Sequence, residues 1–128
     1  MRLFVWLPFA LSAPLSCSGN DPAAASNATG AVCANGSTLT YDNFGKAFMT
    51  SYCIRCHSSN LSGSARNGAP SDHNFDSLEA IHSTELSHID QAAAAGPNYT
   101  NNLMPPAAPF PTLAERKQLG EWLACNVP

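Results

Sequence analysis

Cys53, Ile54, Arg55, Cys56 and His57 form the run in which residue type and spacing together point to chemistry. Two thiols three positions apart, with an imidazole directly after the second, are the attachment signature for c-type haem. At the end of a helix the two thiols reach the two vinyl groups on one edge of a porphyrin. The adjacent imidazole then lies under the iron. Thioether bonds keep the group attached even when an axial ligand lets go. One such run occurs, which implies one haem. Two other readings use the same residues. A thioredoxin-like redox pair normally sits in a βαβ setting, and the flanking pattern here is helical. Half of a zinc site needs a second Cys/His pair at zinc-like spacing, and the sequence offers none.

A haem held this way needs a second axial ligand. Met1 belongs to an export segment described below. Met49 lies four residues before Cys53, on the helix leading into the motif, and cannot fold back over the opposite haem face. Met104, in Asn102-Leu103-Met104-Pro105-Pro106, lies in a rigid non-helical loop, from which a thioether can cross to the distal side. The competing reading makes Met104 a gap-filling core residue, a common use of methionine. His73, His82 and His88 are rival donors, and the last two fall on short helical stretches expected to face solvent.

The elements that must position these groups are helical. Tyr41, Phe44, Phe48 and Tyr52 recur at three- and four-residue spacing, so Thr40 to Tyr52 is expected to be a helix with one apolar stripe, capped by Thr40. Ser58 to Asn74 is polar, with Leu61 its only large aliphatic residue, and reads as loop. Asp76-Ser77-Leu78-Glu79 resembles a capping box opening a short helix. A further helix is expected from about Thr84 through Ala92–Ala95, stopped by Gly96 and Pro97. Pro97 to Pro111 cannot form regular helix or central strand. Thr112-Leu113-Ala114-Glu115 is a full capping box for the last helix, whose apolar face carries Leu119, Trp122 and Leu123. The expected fold is therefore all-α, three or four helices among loops too long for a simple bundle.

Composition sharpens this. Of 128 residues 45% are apolar, but 20 are alanine, so larger apolar side chains are scarce and the core must be modest. Net charge is −3 with six scattered Lys or Arg, which disfavours a nucleic-acid-binding patch. Met1-Arg2 precedes an apolar run holding Phe4, Val5, Trp6, Leu7, Phe9 and Leu11, the pattern of a secretory signal and too short to span a bilayer. Leu15-Ser16-Cys17 resembles a bacterial lipoprotein box, in which Cys17 is lipidated; Ala23-Ala24-Ala25 is the alternative, an ordinary cleavage site. The expected organisation is a signal over 1–17, a flexible tether over 18–31 lacking Leu, Ile, Val and aromatics, and a domain over 32–128. Asn27, Asn35, Asn60 and Asn98 begin sequons, but a lipoprotein-like signal argues for bacteria and no glycans are assigned.

From Val32 onward the chain resembles class I cytochromes c. The resemblance implies a cytochrome c fold, long loops wrapped around one covalent haem c on Cys53 and Cys56, with His57 and Met104 as iron ligands. Gly45, eight residues before Cys53, matches the glycine at which the last helix of that family crosses the first. Met49 stands at the family's aromatic position, with Phe48 beside it. Trp122 resembles the partner aromatic, and Gly120 is expected to ease the crossing. Pro70 resembles the proline whose carbonyl accepts the Nδ1–H of the proximal histidine and makes that ligand more basic.

If the first and last helices cross, Cys33 and Cys125 are expected to meet. Their disulfide would contribute roughly 4–5 kcal/mol of loop entropy, with two free thiols as the alternative. The resemblance implies an electron carrier rather than an enzyme, periplasmic or lipid-anchored, passing single electrons between redox proteins as a monomer in transient complexes. Two alternatives stay open. A labile Met104 would permit peroxide chemistry or gas sensing, and a larger oxidoreductase could use the domain as a fixed relay.

Overall fold

The structure, a computed structural model, describes residues 28–128. Cys17, its lipoprotein-like box and the Ala23–Ala25 alternative lie outside the described residues. Among the described residues the regular structure is helical, with one isolated antiparallel bridge between Ala95 and Thr100. No described helix is long and apolar enough to cross a membrane.

The helical segments that follow Thr40, Ser77 and Thr112 each start at a side-chain cap. Thr40 Oγ1 accepts the Asn43 N–H and Asn43 Oδ1 accepts the Thr40 N–H, a reciprocal box. Behind it Tyr41–Gly45 winds as one wide π turn, with the Gly45 N–H reaching back to the Thr40 carbonyl, and α1 (Lys46–Tyr52) continues to the motif. Ser77 caps α2 (Leu78–Ser83) through the Ala80 N–H. α3 spans Leu86–Ala93 and α4 spans Leu113–Ala124. The Thr112–Glu115 box opens α4, with Glu115 Oε2 accepting both the N–H and the hydroxyl of Thr112.

The core joins Phe48 and Met49 of α1, Phe75, Ile81 of α2, Ile89 of α3, Leu119, Trp122 and Leu123 of α4, and Val127. α1 and α4 pass in opposite senses. Phe44 meets Trp122 edge-on at 5.9 Å, and Tyr52 Oη–H donates to Glu115 Oε1 at 2.9 Å at the other end. A Cβ on Gly45 would lie 2.3 Å from the Trp122 ring, so only glycine admits that ring. Cys33 and Cys125 are disulfide-bonded, with Cα atoms 4.6 Å apart across a separation of 92 residues.

Four expectations are corrected. α3 begins and ends later and earlier than expected, at Leu86 and Ala93, because Ala94 turns extended and Ala95 enters the bridge. Gly96 is consequently no helix cap; it makes room for the amino-terminal segment, whose Thr29 carbonyl would lie 2.5 Å from a Cβ there. Gly120 faces the Ala95 carbonyl and Ala31 rather than α1. The tether read over 18–31 ends sooner, because Thr29 is buried and donates its N–H and hydroxyl to the two Asp90 carboxylate oxygens at 2.9 and 2.6 Å. A charge-assisted pair of bonds does there what the missing aliphatics cannot.

Candidate functional site

α1 runs directly into the motif. The Cys53 N–H closes on the Met49 carbonyl, and the Cys56 and His57 N–H groups both close on the Cys53 carbonyl, so Cys53–His57 forms a compact turn on the helix end. Cys53, Cys56 and His57 line a cavity of about 290 Å³, which is also lined by Met104, Pro105 and Pro106 and by residues of α3. That volume sits near the lower end of ligand pockets, about 300–1,000 Å³. Met49 is buried in the core.

His57 is oriented from two sides. Its ring stacks on Phe75 at 4.7 Å, and its Nδ1–H donates to the His73 carbonyl at 3.1 Å. Pro70 does not accept that bond, contrary to the role the family resemblance implied. Its carbonyl takes an Arg66 Nη2–H instead, while Pro70 itself remains in the cavity lining. Burial is the main cause holding the imidazole below its ordinary pKa, so at neutral pH it is uncharged. With Nδ1 carrying the proton, Nε2 is the nitrogen with a lone pair for a metal.

Arg66 organises this wall. It is 5% exposed and donates to the carbonyls of Ser58 (2.6 Å), Ala69 (3.1 Å), His73 (3.0 Å) and Pro70 and to Asn74 Oδ1 (3.0 Å). The polar loop after the motif is thus tied to one guanidinium, whose donor fork suits several acceptors at once.

Met104 is fixed by a second buried arginine. Arg116 of α4, 4% exposed, donates to the carbonyls of Ala93 (2.6 Å), Asn101 (2.9 Å) and Met104 (2.9 Å), and the Met104 N–H donates to Ala92 (2.9 Å). Arg55, inside the motif, donates to the carbonyls of Ala107 and Ala108 and closes the far end of the same loop. Sequence reasoning missed these three cations. The available signal for Arg116 was its place on the apolar face of α4, three residues before Leu119 and seven before Leu123. For Arg66 it was the lone cation in a loop with almost no aliphatic side chains.

Cys53 and Cys56 are unpaired. Burial pushes the Cys53 thiol up to about 12, against the opposing pull of Arg55 and Arg116. A thiol so protonated is a poor nucleophile, whereas a redox-active Cys-x-x-Cys pair depends on a depressed pKa. Among the described residues no group of three or more His, Cys, Asp or Glu is placed to hold a metal ion. Of the rival histidines, His82 is exposed and donates Nε2–H to the Val127 carbonyl at 3.0 Å. His73 and His88 line the cavity with ring centroids 5.9 Å apart, and His88 lies 3.5 Å from Glu85.

The chain was compared with protein-family models, curated proteins and solved structures, and none of the three gave a match.

Proposed function

We propose that this protein is a monohaem c-type cytochrome of cytochrome c fold that carries single electrons between redox proteins. The carrying observation is that Cys53, Cys56, His57 and Met104 line one cavity. The donor set fits the group: two unpaired thiols for thioether links, a neutral imidazole with Nε2 available, and a thioether sulfur from a separate loop. When bound, haem c supplies a one-electron iron couple.

The residues' own work is orientation and constancy. Phe75 and the His73 carbonyl fix the His57 ring. Arg116 and Arg55 fix the loop carrying Met104, so both ligands keep their places in either oxidation state and little reorganisation accompanies transfer. The apolar walls lower the local dielectric and exclude water, which together with a thioether ligand raises the potential. Export and lipid anchoring through Cys17 belong to the same proposal, supported by the amino-terminal sequence pattern.

Absorption spectra of the purified ferric and ferrous protein test the reading, together with Met104→Ala. The expected result is a haem c spectrum with a long-wavelength sulfur-to-iron band in the ferric form, lost in Met104→Ala. A wild-type spectrum of bis-imidazole type would transfer the distal role to His73 or His88, and an open site would favour the peroxide or gas-binding alternative. Absence of covalent haem would overturn the proposal. Co-purification from detergent-solubilised membranes separates a fixed relay subunit from a free carrier. Mass spectrometry of the mature amino terminus decides between lipidated Cys17 and a start after Ala25.

A further inference from the structure

We infer that Arg66 tunes the electron-donating strength of His57 by sharing its hydrogen-bond acceptor, the backbone carbonyl of His73. The inference rests on the reading of His57 as a haem ligand. The His73 oxygen receives two donors, the His57 Nδ1–H at 3.1 Å and an Arg66 Nη2–H at 3.0 Å. A carbonyl oxygen has two acceptor sites, so both bonds form at once. They are unequal. The guanidinium is permanently charged, is 5% exposed, and is locked by its bonds to Ser58, Ala69 and Asn74. It cannot swing away from the oxygen it polarises.

In a low-dielectric setting such a cationic donor draws strongly on the acceptor. An oxygen already serving a cation has less electron density to offer the neutral N–H. His57 therefore holds its Nδ1 proton more tightly and donates less through Nε2. A weaker donor destabilises the oxidised metal relative to the reduced one, and the positive charge itself acts in the same direction. Hydrogen bonding to an axial ligand is one of the levers on haem potential. Arg66 is thus a positioning residue that raises the potential, whereas Arg116, which bonds the main chain of Met104, touches neither ligand atom.

The test uses the haem-loaded protein, with Arg66→Met and Arg66→Lys compared with wild type by spectroelectrochemical titration and by the proton resonance of the His57 Nδ1–H in the ferrous form. In Arg66→Met the ferric-to-ferrous ratio at fixed potential should rise about tenfold, a midpoint lower by ~59 mV for one electron. The Nδ1–H resonance should move downfield as its bond to His73 strengthens. Arg66→Lys keeps the charge but loses the donor fork, so the resonance should move while the midpoint falls less. If Arg66→Met does not load haem, Arg66→Lys carries the test through the resonance alone. An unmoved resonance in the haem-loaded variants overturns the inference even if the midpoint falls, because charge alone would then suffice. A wild-type protein without His-ligated haem c overturns both this inference and the function it rests on; a normal wild type with unmoved variants overturns the inference only.

Discussion

Every hydrogen bond that Arg66 makes on the His57 wall lands within eight residues of the arginine. On the Met104 wall Arg116 reaches back 12 residues to Met104, 15 to Asn101 and 23 to Ala93. Loop entropy is a small part of this contrast, since each doubling of loop length costs only about 0.6 kcal/mol. What differs is dependence. The Arg66 bonds on the His57 wall close within one segment, while the Arg116 bonds on the Met104 wall exist only when α3 and α4 are already packed. Local opening follows the regions whose support is least self-contained, so Met104 should leave its place before His57 does.

The largest effect should come from breaking the His57 wall at its attachment points. Cys53→Ala combined with Cys56→Ala is expected to abolish covalent haem altogether, read as a polypeptide-only mass; haem still covalently attached would contradict the assignment. Next is Arg116→Met, which removes the donor shared by the buried carbonyls of Ala93 and Asn101 and the half-buried one of Met104 and should cost about 3 kcal/mol in urea unfolding. The sulfur-to-iron band should be lost with His57 ligation kept, and equal loss of both ligands would erase the contrast between the walls. Gly45→Ala pushes a methyl into the Trp122 ring and should cost about 1–3 kcal/mol by overpacking. Because α1 leads to the motif and α4 carries Arg116, thermal melting should show both walls weakened alike.

The smallest effect is in acid. Asp76 accepts from the Ser58 hydroxyl and from the Ser59 N–H and hydroxyl, and the Ser59 side-chain bond leads in holding it below the ordinary 3.8. The Thr112 N–H leads in holding Glu115 below the ordinary 4.5. A carboxylate depressed on folding adds stability above its unfolded value and loses it as pH falls through the folded one. Asp76→Asn and Glu115→Gln should therefore each flatten the stability curve only below about pH 5. Both groups are half-buried and titrate in acid, so a steep change in slope near neutrality would show that another group governs it.

This contrast also explains what could be read from sequence. The thiol spacing, the caps at Thr40 and Thr112, and the proline-bounded loop around Met104 are local signals, and each element stands close to where its residues indicate, whereas the box read from Asp76 to Glu79 is replaced by a cap from Ser77, because Asp76 bonds Ser58 and Ser59 instead. The exchange of Pro70 for His73 was not legible, because three residues of loop geometry decide which carbonyl faces Nδ1, and Arg66 organises that geometry by side-chain bonds. The Thr29 anchor was hidden for a related reason. Its partner Asp90 lies 61 residues away, and a segment without aliphatics gives no periodic sign of burial.

The Cys33–Cys125 bond makes most of the described chain a closed covalent circuit. A protease that cuts once in the exposed part of the Ser58–Asn74 loop, or among the prolines beyond Met104, leaves two fragments that still travel as one molecule. Such a nick changes the mass by a single water and separates into two bands only after the disulfide is reduced.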